Sequence, residues 1–107
     1  MPIAEIDIED FVPVHSRSAR VIDVRESDEY EDGHVPRALH IPLSRIPDRL
    51  DAFDGEGPTY VVCQSGGRSM RACEIASSQG RDVVNVTGGT GAWIRAGHDI
   101  VAGGSPS

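Results

Sequence analysis

A chain of 107 residues, 38% of them hydrophobic and 25% charged, has room for one domain with one core and lacks the composition of a disordered protein. Its formal net charge of −7 argues against nucleic acid as a partner, because phosphate binding needs a basic face. No apolar run approaches the roughly 20 residues that cross a bilayer, so no membrane partner is predicted.

The N-terminal residues and the two cysteines indicate the compartment. Residues 1–5 have neither the basic nor the apolar region of a signal peptide. Cys63 and Cys73 are too few for a disulfide framework, which predicts a cytoplasmic, reducing location. The four histidines show no metal-ligand spacing with these cysteines, so no metal site is predicted.

The first half of the chain begins with short elements. They are, in chain order, a weak strand at 4–8, a helical turn at 9–11, a strong strand at 19–24, a short helix at 28–32 and an extended segment at 39–42. Ser27 is predicted to be the N-cap of the short helix. Apolar residues at helical spacing then predict an amphipathic helix over residues 44–53.

The second half alternates strands with helices. The predicted elements are a buried strand at 59–62, a helix at 69–79, a strand at 82–86, a short helix at 90–95 and an edge strand at 100–101. This alternation predicts an α/β fold whose helices cover both faces of the sheet. We predict one domain over residues 1–102, followed by a flexible tail at 103–107.

Cys63 lies where the predicted buried strand ends, and the pair Gly66-Gly67 then turns the chain into a helix. A strand, a tight loop and a helix arranged in this way direct several backbone N–H groups, and the positive end of the helix, at one point. A thiol at that point should have a low pKa and exist largely as the nucleophilic thiolate. Cys73 lies in the middle of the following helix, where packing in the core is the simpler interpretation.

Three motifs, in order, resemble the signatures of rhodanese domains. They cover most of the chain, from Val21 to Gly97, and consist of Val21-Ile22-Asp23-Val24-Arg25-Glu26 with Glu29-Tyr30, Gly33-His34-Val35-Pro36-Arg37-Ala38 and Ile41-Pro42; Cys63-Gln64-Ser65-Gly66-Gly67-Arg68-Ser69; and Asn85-Val86 with Gly88-Gly89 and Ala92-Trp93. The resemblance implies a single three-layer domain with a mostly parallel five-stranded sheet. It also implies a sulfurtransferase that needs no metal or organic cofactor.

The resemblance assigns roles to named residues. Cys63 would be the catalytic nucleophile and would carry the sulfur as a persulfide, while Asp23 and Arg25 would support the loop. The residues expected to bind the substrate are Gln64, Ser65, Gly66, Gly67, Arg68 and Ser69. Arg68 offers a permanent charge and a fork that suits an oxyanion such as thiosulfate. The expected partners are a small anionic sulfur donor and a thiol or cyanide acceptor.

Two other functions remain open. A sulfur carrier or persulfide sensor would pass its sulfur to a protein, and the acidic surface could attract a basic partner. A cysteine phosphatase or arsenate reductase would resemble this fold too, but its loop is one residue longer than the C-x4-R pattern formed by Cys63 and Arg68. The shorter loop favours a sulfane sulfur over a phosphate.

Overall fold

The computed structural model describes residues 2–107, so Met1, the first residue of the predicted domain, lies outside the described part. The elements are β1 (Ala4–Ile6), α1 (Ile8–Ser16), β2 (Arg20–Asp23), α2 (Ser27–Asp32), β3 (Leu39–His40), two 3₁₀ helices (Leu43–Asp48 and Leu50–Phe53), β4 (Thr59–Val62), α3 (Gly67–Ser78), β5 (Val83–Val86) and α4 (Gly89–Arg95). Within residues 2–107 no helix is both long and apolar enough to cross a membrane.

The described strands form one parallel sheet in the order β1-β5-β4-β2-β3. β4 lies at its centre, where Val61 pairs with Ile22 of β2 on one side and with Asn85 of β5 on the other. A central parallel strand is buried on both faces, and Val61 and Val62 are fully buried. This arrangement confirms the predicted α/β fold and places the carboxyl end of β4 in the middle of one sheet edge.

Helices pack on both faces of the sheet. On one face α3 and the 3₁₀ helices bury Ala72, Ala76 and Ile46 against the sheet. On the other face α1 and α4 bury Phe11 and Trp93 against it. The two clusters give the three layers that the resemblance implies.

The prediction of an amphipathic helix over residues 44–53 is wrong. That segment forms two 3₁₀ helices, which are separated at Arg49 by a non-helical backbone angle φ of −130°. Pro47 lies inside the first of them. Pro47 has no N–H to donate to the carbonyl four residues earlier, and the segment keeps its apolar spacing with 3₁₀-type bonds such as that from the Arg49 N–H to the Ile46 carbonyl at 3.0 Å.

Three smaller boundaries also differ from the prediction. α1 spans nine residues instead of one turn, because the Asp7 side chain accepts a hydrogen bond of 3.0 Å from the backbone N–H of Asp10 and caps it. The N-cap of α2 is Glu26, not Ser27. At residues 100–101 there is no edge strand, only an isolated antiparallel bridge between His34 and Val101.

The C-terminal residues have hydrogen bonds to the domain. The backbone N–H of Gly103 donates to the Glu31 carbonyl at 2.8 Å, and that of Arg37 donates to the Pro106 carbonyl at 2.8 Å. The His34 ring, which stacks on Tyr30 with 3.6 Å between ring centroids, also lies 2.8 Å from the Ser105 carbonyl. A flexible tail at residues 103–107 stays a prediction, and these contacts argue against it.

Candidate active site

Cys63 directly follows β4 and is 1% exposed. The chain then turns at Gly66, whose φ of 118° is a left-handed conformation that favours glycine. α3 begins at the next residue, Gly67. The positive end of this twelve-residue helix is therefore close to the thiol, as the sequence predicts.

Two donors reach the sulfur of Cys63. The backbone N–H of Gly66 lies 3.1 Å from Sγ, and the hydroxyl of the buried Ser69 lies 3.4 Å from it. Burial alone would raise the pKa of the Cys63 thiol and is the largest single influence on it. The Ser69 hydroxyl and the amides of Ser69, Gly66 and Ser65 together outweigh burial, so that the pKa is lowered.

The first turn of α4 holds the loop from outside. Its amides donate to the loop carbonyls, from Thr90 to Cys63 at 2.8 Å and from Gly91 to Gln64 at 3.0 Å. The amide of Gly88 donates in the same way to Ser65 at 3.2 Å. Because these carbonyls are bound on the α4 side, the loop amides are free to face the sulfur.

The two glycines of the loop have different roles. An added Cβ on Gly66 would lie 3.6 Å from the backbone of Gly88, and its φ is positive. Gly67 has no positive φ and no atom within 4 Å of the same position. Gly66 therefore needs to be a glycine for the left-handed turn, whereas neither the backbone angle nor the space at Gly67 imposes that requirement.

Asp23 and Arg25, predicted to support the loop, form a buried ion pair beside it. The distance from Nη2 of Arg25 to Oδ2 of Asp23 is 2.9 Å, and both side chains are almost fully buried. Arg25 also donates to the Gly33 carbonyl at 2.9 Å and to Oε1 of Gln64 at 3.3 Å. Arg25 thus contacts the residue that follows Cys63, while its supporting role stays a prediction.

Arg68 lies at the start of α3, but its fork is occupied. Nη1 and Nη2 donate to the two carboxylate oxygens of Glu29 at 2.7 Å and 2.9 Å. These bonds lower the pKa of Glu29 to about 2 and raise the pKa of Arg68. Glu29 thus takes two of the five N–H donors of Arg68, and the predicted contact of Arg68 with a substrate anion stays a prediction.

The sequence-based site omitted two side chains that the structure brings to the loop. Glu29 holds Arg68 and also accepts the backbone N–H of Glu26 at 3.0 Å. Asn85 of β5 contacts both Ser69 and Gly66. Both residues belong to the motifs quoted above, which is the signal that could have revealed them, but their long-range contacts are invisible in the sequence.

A cavity of about 210 Å³ opens beside Gln64, with Arg25, Ile94 and Ile100 on its walls. A larger cavity of about 610 Å³ lies at the amino ends of the strands, next to Arg20. Ligands of parallel sheets bind outside the carboxyl ends of the strands, so the smaller cavity is the candidate entrance. Among residues 2–107 no cluster of three or more His, Cys, Asp or Glu side chains could hold a metal ion.

The comparison with protein families decides the family of this chain. The sequence model described as "Rhodanese-like domain" matches residues 12–96. The chain belongs to the rhodanese-like domain family. The resemblance seen in the motifs is thus confirmed, and the matched residues include β2, the loop after β4 and all of α4.

Relatives of this rhodanese-like domain have names connected with sulfur transfer. A sulfurtransferase of Allochromatium vinosum is 37% identical over 83 residues, which cover 77% of this chain and 78% of that protein. YrkF of Bacillus subtilis, whose name proposes a sulfur carrier protein, is 36% identical over 94 residues, or 85% of this chain. The chain spans only 51% of the length of YrkF. Together these relatives support sulfur transfer as the general activity of the domain.

A solved structure supports the fold. The crystal structure of a rhodanese-like domain protein from Staphylococcus aureus superposes with a TM-score of 0.83 at 32% sequence identity. The superposition covers 94% of this chain and 98% of the other. The architecture described above is therefore the rhodanese fold.

Proposed function

We propose that this rhodanese-like domain moves a sulfane sulfur from thiosulfate or a persulfide donor to a thiophilic acceptor through a persulfide on Cys63. The observation that carries the proposal is the set of donors around Sγ: the Gly66 amide at 3.1 Å and the Ser69 hydroxyl at 3.4 Å, on a thiol whose pKa is lowered. A thiolate held in this way is a nucleophile at neutral pH without a separate general base.

In the first half-reaction the Cys63 thiolate attacks the outer sulfur of thiosulfate. A new S–S bond forms on Sγ, the S–S bond of thiosulfate breaks, and sulfite leaves with the electron pair. In the second half-reaction a thiolate or cyanide attacks the outer sulfur of the persulfide. The Cys63–sulfur bond then breaks and Cys63 leaves as a thiolate, which the same two donors stabilise.

Transfer to a protein is the second candidate, because YrkF, a relative with a name that proposes a sulfur carrier, matches 85% of this chain. The net charge of −7 would favour encounter with a basic acceptor protein. Slow turnover with cyanide but rapid transfer to a protein thiol would select this function over the first. For either function we propose a cytoplasmic location, where thiols stay reduced.

Mass spectrometry of the intact protein tests the persulfide directly. After treatment with thiosulfate, we expect the mass of one added sulfur atom, and peptide mapping should place it on Cys63. Cys73 is the internal control, because it is fully buried and burial raises its pKa to about 12. An unchanged mass, or sulfur on Cys73 alone, would refute the proposed carrier.

Glu29→Gln should improve the use of an anionic donor. Glutamine can still accept the Glu26 N–H that Glu29 accepts, but it no longer neutralises Arg68. Because this pair is about one-third exposed, we expect a modest effect, a KM for thiosulfate that falls about two- to fivefold, equivalent to roughly 0.5–1 kcal/mol. Steady-state kinetics at low ionic strength would measure it.

The control for that substitution is Asp51→Asn. It removes the same charge from a side chain that is 73% exposed and outside the loop. Its KM should stay unchanged, which separates the local effect of Arg68 from the overall charge. A KM for Glu29→Gln that is equal to or above that of the native protein would show that Arg68 does not meet the donor.

A further inference from the structure

The Ser69 hydroxyl has two possible acceptors and one hydrogen. Its oxygen lies 3.4 Å from Sγ of Cys63 and 2.5 Å from Oδ1 of Asn85. A hydroxyl can donate to only one acceptor at a time. The two contacts therefore compete for this hydrogen.

The orientation of the Asn85 amide is fixed by its other contacts. Nδ2 donates to the Gly66 carbonyl at 3.2 Å and to Oε2 of Glu5 at 3.1 Å. The reversed amide would place Oδ1 against these two oxygen acceptors, which excludes it. Oδ1 must therefore face Ser69, where it can only accept.

Asn85 is also rigidly held. It is 1% exposed and lies in β5, paired with Glu5 of β1 and Val61 of β4. Through Nδ2 it fixes the carbonyl of Gly66, the same residue whose N–H reaches Sγ. Asn85 therefore touches Ser69 and Gly66, whose hydroxyl and amide lie against the sulfur, without touching the sulfur itself.

We propose that Asn85 is a positioning residue for the nucleophile, which holds the Ser69 hydrogen while Sγ is uncharged and releases it to Sγ when the thiolate forms. A neutral sulfur is a weak acceptor compared with an amide oxygen, so the thiol leaves the hydrogen on Asn85. A thiolate is a charged acceptor and takes it.

The next stage of this assignment, the persulfide, rests on the proposed function. In the persulfide Sγ is again uncharged, and the hydrogen returns to Asn85. When the acceptor breaks the S–S bond, the electron pair stays on Sγ and the hydroxyl turns toward it. The hydroxyl thus follows the charge through the cycle, and no proton is exchanged with solvent at Ser69.

The native protein allows a direct test. Asn85 is the only asparagine of the chain, and Gln64 and Gln79 are the only glutamines, so the side-chain amide region of a ¹⁵N spectrum holds three pairs of signals. The Asn85 pair should shift with pH, with the same midpoint as the alkylation rate of Cys63 by iodoacetamide. Gln79, one helix length or roughly 18 Å from the loop, should not shift at that midpoint.

Cys63→Ser is the control for the titration, since it removes the thiol that titrates, and it should abolish the shift of the Asn85 signals. Constant Asn85 signals across the midpoint of native Cys63 would overturn the proposal. The titration needs no sulfur transfer, so failure of the proposed function and failure of this inference are distinguishable.

Variants test whether Asn85 acts through Ser69. Both Asn85→Asp and Asn85→Leu lose the donor to Gly66, but only aspartate keeps an acceptor for the hydroxyl. We expect the midpoint of the pH dependence of Cys63 alkylation by iodoacetamide to lie about one unit higher in the aspartate variant than in the leucine variant, which makes the aspartate variant about tenfold slower at a pH below both midpoints. In a Ser69→Ala background the difference should shrink to about threefold or less. A tenfold difference in both backgrounds would mean that the new carboxylate acts on Cys63 directly and not through Ser69. That result would overturn the proposal that Asn85 and Cys63 compete for the Ser69 hydrogen.

Discussion

Cys63→Ser is expected to lower the rate of sulfur transfer from thiosulfate to cyanide by about 10⁴-fold or more, the scale seen when a covalent nucleophile is removed. A serine hydroxyl is not ionised at neutral pH, so the donors at Sγ would have no anion to stabilise. Thiocyanate formation measures the rate. Rates equal to those of the native protein would end the assignment of Cys63 as the sulfur carrier.

Cys73→Ala is the matched control for that substitution. Cys73 belongs to the same buried cluster as Cys63, but its pKa is raised by burial, and the negative charges of Glu5 and Glu74 act in the same direction. A thiol of that kind is not a nucleophile near neutral pH. We expect the variant to keep most of the transfer rate, although its core is less well filled.

The sheet could be predicted because its strands are local patterns. Residues 59–62 form a continuous apolar run, and the strand at those positions is confirmed. The segment at 44–53 shows the limit of such patterns, because apolar spacing alone does not distinguish an α-helix from a 3₁₀ helix that contains Pro47. The apolar periodicity therefore shows which face of the segment is buried, but not which type of helix it forms.

The position of Cys63 close to the start of α3 could also be predicted, since the two are neighbours in the sequence. The partners that complete the site are distant in sequence. Glu29 reaches Arg68 across 39 residues, and Asn85 reaches Ser69 across 16. Nothing local to these side chains shows which group they meet, because the parallel sheet brings them together only after folding.

The pair Gly88-Gly89 meets one local requirement, a turn, and one long-range requirement, a contact with the loop after β4. Both residues have a positive φ, of 78° and 56°, a left-handed conformation that favours glycine in a tight turn. An added Cβ on Gly89 would also lie 2.3 Å from the Cys63 carbonyl oxygen and 2.8 Å from that of Gln64. The second glycine is therefore needed for the close contact between α4 and the loop after β4, which the turn alone does not require.

Gly89→Ala should consequently damage both stability and activity. The methyl group meets backbone atoms, which cannot move aside as a flexible side chain would, and the positive φ adds strain. We expect a loss of about 2–4 kcal/mol in the free energy of unfolding. For a domain of this size that corresponds to a fall in Tm of roughly 10–25 °C, measurable by thermal denaturation.

Substitutions of two further glycines distinguish the strain of a positive φ from the steric contact with the loop. Gly97, just beyond α4, has a φ of 86° but open space around its Cβ position, so Gly97→Ala should show the cost of the backbone conformation alone, about 1 kcal/mol. Gly67 has neither constraint, and Gly67→Ala should be nearly neutral for stability. If Gly89→Ala lost no more stability than Gly97→Ala, the contact of α4 with the Cys63 carbonyl would not hold the loop. If it also kept full transfer activity, the loop amides would face the sulfur without help from α4.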